Sequence, residues 1–458
     1  MDPVHSTRTV LCPADNAVMP RCAVHFYFHN PDQQAGFMEF DILRNTFIQT
    51  LRTSLPLALA TRMQMTAFTY GGLTASIVDD PPLPPISKHT DDTRTVRRMI
   101  DADFAPSTQP PVIFGIPIQC NPLVGDPLVT LDVVYMADGV GIGLTFSHAV
   151  TDMGGVARFC VEWSRVARSH YTKSATEHKP CVLNNDRSWF WPCICAEPSP
   201  PTPPFVTHLE ALATATDTCA YADSSKHSNE LFESAETDSN AEPRAARSPI
   251  YRMSISAHGV AHIGSVRDAV CPGVSIPNLI SAALWQCISV SSPHPTTYFA
   301  ASLTARTHPT YADYWGNTST MKYMHHETHQ VSRMPCAELA RVIQQNVVSF
   351  TPAEFAYIIN QYTSESYLQK LQRFVENDKA PRVMVSNMSR LPFYETDFGF
   401  GRPAKVCCPL DVPHGMAAFF PRSRSGGIDI YLRVSDLVVQ NVVNHELLKD
   451  HITVIVYE

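Results

Sequence analysis

No run of this sequence approaches the roughly 20 consecutive apolar residues that span a bilayer, which excludes a transmembrane helix. A basic block or stripe is missing too. With 35 Lys and Arg against 43 Asp and Glu, the net charge is −8, so the phosphate-neutralising surface of a nucleic-acid binder is not expected. The start, Met1-Asp2-Pro3-Val4-His5, has no basic segment followed by an apolar one, which points to a cytoplasmic, untethered protein. Metal-binding spacing is also lacking. The 13 cysteines are scattered, and the closest pairs, Cys193-x-Cys195 and Cys407-Cys408, have no second pair or histidine pair at zinc-finger distance. Buried thiols in a reducing compartment are expected instead, and no structural metal. His325-His326-x-x-His329 lacks the glutamate of H-E-x-x-H and reads as a solvated histidine cluster. Gly139-Val140-Gly141-Ile142-Gly143 lacks the G-x-G-x-x-G spacing of a dinucleotide loop. No internal repeat is present, which removes solenoids.

What remains is ordinary globular material. At 458 residues the chain exceeds one hydrophobic core of usual size, and 44% hydrophobic against 17% charged residues is enough to fold two domains. Leu43, Phe47, Leu51 and Leu55 recur every four residues and predict a core-facing helix over 41–55 that stops before Pro56. Two β-prone runs, 129–136 and 140–146, flank Ala137-Asp138-Gly139, a hairpin signal. Helical patterning resumes over 153–168, with Val156, Phe159, Cys160, Trp163 and Val166 on one face and Arg158, Arg165 and Arg168 largely on the other. Between 196 and 248 the composition shifts to Pro, Ser, Thr, Ala and acidic residues. So long a connection predicts a linker between a first domain over 1–195 and a second over 249–458. In the second half, strands are predicted at 251–256 and 427–434, and helices at 276–290, capped by Ser275, and at 336–350.

The hairpin's second strand runs directly into Ser147-His148-Ala149-Val150-Thr151-Asp152-Met153-Gly154-Gly155, so His148 falls at a strand-to-helix junction, where ligands reach side chains. Acyl transfer from a thioester needs a base for the acceptor's proton, a donor for the oxyanion and a pocket that excludes water. An imidazole that titrates near neutral pH supplies the first. Asp152, four residues on, either orients that imidazole or caps the next helix and pairs with an arginine. Gly154-Gly155 behind it favours the second role.

These residues, with the helix after them, resemble the active-site motif of the BAHD acyltransferases. Asp397-Phe398-Gly399-Phe400-Gly401, followed by Arg402-Pro403, is similar to that family's Asp-Phe-Gly-Trp-Gly signature, and Tyr314-Trp315-Gly316-Asn317 to its Tyr-Phe-Gly-Asn segment. The resemblance implies an α/β fold of two chloramphenicol-acetyltransferase-like domains, mixed sheets flanked by helices, joined by a long crossover. It implies acyl transfer, acetyl foremost, from acyl-CoA as co-substrate to a hydroxyl of a specialised metabolite, in a ternary complex of a monomeric enzyme. The variants at Phe400 and Asn387-Met388-Ser389 look like fungal, trichothecene acetyltransferase-like members. The alternatives are transfer to an amine, transfer from a carrier-protein thioester, although condensation domains carry a second histidine where Ser147 stands, and a noncatalytic small-molecule-binding homologue, against which an intact His148 speaks.

By the same resemblance His148 is the general base, Asp152 and Arg306 form a structural pair, and Asp397, Gly399 and Gly401 shape a loop near the coenzyme. Since Met388 in that segment cannot donate, either Ser386 or Asn387 takes the oxyanion or the donor lies elsewhere. Asn317 either supports the oxyanion region or bonds its own turn. Arg390 either meets an acidic group of the acceptor or makes a surface ion pair. Ser275 at a helix start either binds coenzyme A or caps its helix. Arg402, Lys405, Arg422, Arg424 and Arg433 either meet coenzyme A phosphates or are solvated charges.

Overall fold

The computed structural model of the protein describes residues 6–10, 21–59, 62–65, 73–78, 83–110, 127–172, 248–307, 314–361, 381–407, 412–422 and 426–457. The linker read at 196–248, apart from Ser248, lies outside them, as do Cys193, Cys195, Arg424 and Cys408. In chain order the first half holds β1 (Ser6–Val10), β2 (Arg21–His29), α1 (Phe40–Ser54), β3 (Arg62–Met65), β4 (Leu73–Val78), β5 (Ile86–Asp91), α2 (Val96–Asp101), β6 (Val129–Met136), β7 (Gly139–Ser147) and α3 (Met153–Thr172). The second half opens with β8 (Ile250–Ile255), α4 (Ala257–Val270), α5 (Ile276–Val290), β9 (Thr296–Thr304), β10 (Ser319–Glu327), α6 (Thr328–Arg333) and α7 (Cys336–Val348). It ends with α8 (Pro352–Gln361), β11 (Arg382–Asn387), β12 (Lys405–Cys407), β13 (Met416–Pro421), β14 (Ile428–Arg433), α9 (Asp436–Asn444) and β15 (Ile452–Val456).

The strands form a five-stranded sheet of order β12-β2-β7-β6-β5, a seven-stranded sheet of order β10-β9-β11-β13-β14-β8-β15, and a small sheet β1-β4-β3. The fold is mixed α/β with helices on the sheets. Strand β12 comes from the second half yet pairs antiparallel with β2 of the first, Lys405 opposite Tyr27 and Cys407 opposite His25.

Alternation along β7 decides what each face of the five-stranded sheet meets. Val140, Ile142, Leu144 and Phe146 enter the core shared with α1 and α3. Leu43, Phe47 and Leu51 of α1 and Phe159 and Trp163 of α3 are wholly buried against them, each such side chain contributing about 1.5–3 kcal/mol. The Trp163 indole donates to the Leu43 carbonyl at 3.2 Å and to Thr46 Oγ1 at 3.1 Å, which fixes the rotation of α3 against α1. The opposite face of β7 carries Gly139, Gly141, Gly143, Thr145 and Ser147. At the hairpin, Asp138 accepts from the Val96 and Arg97 amides at 2.5 and 3.0 Å and so caps α2 from a neighbouring turn.

The second core lies under the other face of the large sheet, where α5 buries Leu284, Trp285 and Cys287 against β9, β11 and β14. Among the described residues, Cys22, Cys160, Cys271, Cys287 and Cys407 are buried free thiols. No helix of the described residues is long and apolar enough to cross a membrane.

Candidate active site

Strand β7 ends at Ser147, whose amide still bonds the Leu128 carbonyl at 2.8 Å, and a tight turn closes at once with the Val150 amide on the Ser147 carbonyl at 3.1 Å. His148 therefore stands at the rim of the sheet, half-buried, before α3 starts at Met153. The second half of the chain holds this turn. Asn317, buried to 1% exposure, donates its carboxamide N–H to the His148 carbonyl at 2.6 Å, and Thr151 Oγ1 donates to the Trp315 carbonyl at 2.7 Å. Asn317 thus bonds the backbone of the histidine itself.

Asp152 is 2% exposed, and its acceptor capacity is filled. Oδ1 receives Arg306 Nη1 at 2.5 Å and the Gly155 amide at 3.0 Å; Oδ2 receives Arg306 Nη1 at 2.7 Å, the Thr318 amide at 3.1 Å and Ser319 Oγ at 3.0 Å. An ionised carboxylate has about four lone-pair positions, so none is left for an imidazole. Asp152 is at once the N-cap of α3, through Gly155 three residues on, and the anion of a buried pair. Burial acts to raise its pKa, but the Arg306 charge and the Thr318 and Gly155 amides outweigh that and hold it below the usual carboxylate range. Arg306 spends its remaining donors on the Tyr314 carbonyl at 3.0 Å and the Gly316 carbonyl at 2.6 Å. A Cβ at Gly155 would stand 1.9 Å from Thr151 Oγ1 and 2.7 Å from the Trp315 carbonyl, so the helix start approaches the 314–317 segment only because that position is glycine.

The Asp397 loop lies elsewhere. Arg168 of α3 donates to the Asp397 carbonyl at 3.0 and 2.7 Å and pairs with its carboxylate at 3.0 Å. Asp397 Oδ1 in turn accepts from the Gly399 and Gly401 amides at 2.8 and 3.0 Å. Both glycines have positive φ, +103° and +98°, which a side chain would strain. Phe398 packs edge-on to Trp163 at 4.7 Å and Phe28 at 5.4 Å. At 1.5 Å per residue, Arg168 lies about 22 Å along α3 from its first turn, so this loop acts at the far end of the helix that begins beside His148.

Ser386 and Asn387 end β11. Asn387 is exposed, and its carbonyl oxygen accepts from the Ser389 amide at 3.2 Å and hydroxyl at 2.7 Å, a local turn. Met388 is buried, and Arg390 is exposed. Ser275 caps α5 through the Asn278 amide at 3.2 Å, and Gln344 of α7 accepts from both the Ser275 amide and the Asn278 carboxamide, at 3.0 and 2.8 Å. That helix entry is filled by protein groups. Of the candidate phosphate-binding cations, Lys405 and Arg433 are buried, Lys405 pairing with Asp429 and Arg433 donating to the Val412 and Ser248 carbonyls, while the half-buried Arg422 pairs with Asp429 and Asp103. Arg402 is exposed. Sequence reading did not single out Thr318, Ser319 or the contact of Arg168 with Asp397. The first two carry no pattern, and an arginine on a helix's polar face looks like any solvated charge.

The sequence pattern of the Transferase family matches residues 116–445. A hydroxycinnamoyltransferase of Narcissus pseudonarcissus is 23% identical over 340 residues, which are 71% of this chain and 70% of that protein. Hydroxycinnamoyl-CoA:5-hydroxyanthranilate N-hydroxycinnamoyltransferase HHT4 of Avena sativa is 22% identical over 339 residues, 71% and 69% of the two chains. Among solved structures, F. sporotrichioides TRI101 complexed with coenzyme A and T-2 superposes with a TM-score of 0.71 at 15% identity, covering 98% of this chain and 99% of the other. Vinorine synthase superposes with a TM-score of 0.61 at 13% identity, over 97% and 98%. The two-sheet architecture is the chloramphenicol-acetyltransferase-like fold.

Proposed function

This chain belongs to the Transferase family, the BAHD acyltransferases, and we propose that as such an enzyme it carries an acyl group from coenzyme A to a hydroxyl of a small metabolite with His148 as general base. The observation that carries the reading is the turn after β7. His148 sits at the sheet rim with its own carbonyl clamped by Asn317, while the neighbouring carboxylate is used up by Arg306 and three other donors. A base held by its backbone, next to a brace, is what a transfer without an acyl-enzyme needs.

In that reaction the acceptor oxygen attacks the thioester carbonyl while His148 takes the hydroxyl proton. The tetrahedral intermediate collapses, the C–S bond breaks, and the thiolate leaves and regains a proton. Acetyl-CoA is the first donor to try. TRI101, complexed in its solved structures with coenzyme A and with T-2 mycotoxin or deoxynivalenol, supports a mycotoxin-like alcohol as acceptor, and the hydroxycinnamoyl-CoA-dependent relative makes hydroxycinnamoyl-CoA the second donor. The test follows free thiol release with a panel of hydroxylated and amine acceptors, for wild type and His148→Ala. Release by wild type that falls at least about a hundredfold in the variant supports the reading. Equal rates in the two proteins, or release with amines alone, would sink it.

A further inference from the structure

The face of β7 turned away from α1 and α3 has an unusual lining. Register places His25 of β2, Gly143 of β7 and Asp132 of β6 in one row, and Ala23, Thr145 and Thr130 in the next row towards His148. Across β12 this same face meets the large sheet. Cys407 shares a register position with His25. Below, Arg252 of β8 donates to the Phe104 carbonyl, and Phe104 packs with Tyr27 and Cys407. The row therefore belongs to the wall that looks into the interior between the two sheets.

Two groups on that wall are poorly satisfied by the protein. Thr130 is 6% exposed and its hydroxyl, wholly buried, has no hydrogen-bond partner. Asp132 is 5% exposed, and the side chain facing it is His89 of the edge strand β5, Nε2 to Oδ1 at 3.6 Å, longer than a good hydrogen bond. Burial raises the Asp132 carboxyl above the usual range, with His89 and the Ser87 hydroxyl pulling the other way. Leaving buried hydroxyl and carboxylate oxygens short of donors is costly, and such groups persist where a ligand completes them. Gly143 puts no side chain between Asp132 and His25.

We infer that Thr130 and Asp132 form a second polar subsite of the acceptor pocket, which takes a hydrogen-bond-donating group, hydroxyl or ammonium, at the far end of an elongated acceptor. The spacing follows from the strands. Thr130 is level with Thr145, three residues before His148, and Asp132 with Gly143, five residues before it. At about 3.3 Å per residue the subsite lies roughly 10–16 Å from the base along the strand. An acceptor that fills both places carries two polar groups separated by an apolar skeleton of that length.

This inference rests on the acyl-transfer reading above, and the test separates the two. Matched alcohols isolate the second group: 1-octanol has none, 1,2-octanediol has it in the wrong place, and 1,8-octanediol and 8-amino-1-octanol have it at the far end. Thiol release from acetyl-CoA by wild type should favour 1,8-octanediol over 1-octanol by about tenfold or more in kcat/KM, beyond the twofold owed to its two equivalent ends, with 1,2-octanediol resembling 1-octanol. The amino alcohol shows whether ammonium is preferred to hydroxyl. Asp132→Asn and the isosteric Thr130→Val should each pull the diol-to-octanol ratio towards that twofold value. A wild-type ratio near two, or a ratio unchanged in both folded variants, overturns the subsite. If wild type releases no thiol with any alcohol, the acyl-transfer reading fails, and saturation-transfer NMR of the four probes decides the subsite by itself. Binding of the 1,8-diol no better than of 1-octanol, or equal binding in wild type and Thr130→Val, rejects it.

Discussion

Replacing Asp152 by Asn separates a brace from a catalytic partner. Asparagine caps a helix about as well as aspartate, so the Gly155 bond is kept while the charge opposite Arg306 is lost. The guanidinium, with side-chain exposure of only 9%, then remains buried without its anion. Breaking such a pair by removing one partner costs about 3–5 kcal/mol. The turn bearing His148 is held by the same segment that holds Arg306, through Asn317 and the Trp315 carbonyl, so the base shifts with it. A misplacement of about 1 Å lowers the rate on the order of a hundredfold.

The assay is the pH dependence of thiol release, with denaturant unfolding alongside. As a brace, Asp152→Asn lowers kcat and stability but leaves the midpoint of the base's titration in the kcat/KM profile where it was. A partner that stabilised the imidazolium would instead move that midpoint to lower pH on losing its charge. A double-mutant cycle adds a second criterion. Arg306→Met alone strands the carboxylate, whereas Asp152→Asn with Arg306→Met removes both charges, so the double variant should be clearly less destabilised than the sum of the singles. A shifted midpoint, or strictly additive losses, refutes the reasoning.

Asn317→Ala removes the donor to the His148 carbonyl and should cost about 1–3 kcal/mol and lower kcat with little change in the KM for acetyl-CoA, read from steady-state kinetics. In Gly155→Ala the new methyl meets Thr151 Oγ1 and the Trp315 carbonyl, and a loss of about 1–3 kcal/mol in denaturant unfolding is expected. Arg168→Met cuts a half-exposed ion pair and two bonds to the Asp397 carbonyl. Solvent screening keeps the pair's share near or below about 1 kcal/mol, and kcat should change little because the loop is remote from His148. Burial lowers the His25 pKa from 6.5 to about 3. The unfolded chain then binds a proton that the folded one refuses, so stability falls as pH drops from 6.5 towards 3. Wild type should lose about 1–2 kcal/mol more than His25→Gln between pH 6.5 and pH 5 by denaturant midpoints.

The sequence was readable wherever one element decides its own fate. The four-residue stripe of Leu43, Phe47, Leu51 and Leu55 became α1, and alternation with a Gly after Asp became the β6–β7 hairpin. Ser275 begins α5 as the cap its position suggests. What stayed hidden depends on pairing across long separations. Strand β12 is three residues long and sits in the first half's sheet, and nothing in Lys405-Val406-Cys407 announces a partner nearly 400 residues upstream. Lys405 and Arg433 look like surface charges until Asp429 and the Val412 carbonyl are placed beside them. Likewise, nothing in Tyr314-Trp315-Gly316-Asn317 announces that Asn317 donates to the carbonyl of His148, 169 residues upstream.

Helix α3 ties these distant contacts into one argument about how the base is placed. Its N-terminus is capped by Asp152, which is held by Arg306, Thr318 and Ser319, and its last turns are held by Asp397 and Phe398. Every one of those partners is contributed by the second half of the chain. The two ends differ in kind. At the start, the contacts are buried and charged and lie against the turn that carries His148, so their loss is felt both in stability and in the position of the imidazole. At the far end, the ion pair is half-exposed, and the anchoring rests on Phe398 against Trp163 and Phe28, a packing term. The histidine belongs to the first half, but its geometry is set by how the second half docks, so substitutions that loosen docking near 314–319 should lower turnover before they unfold the protein.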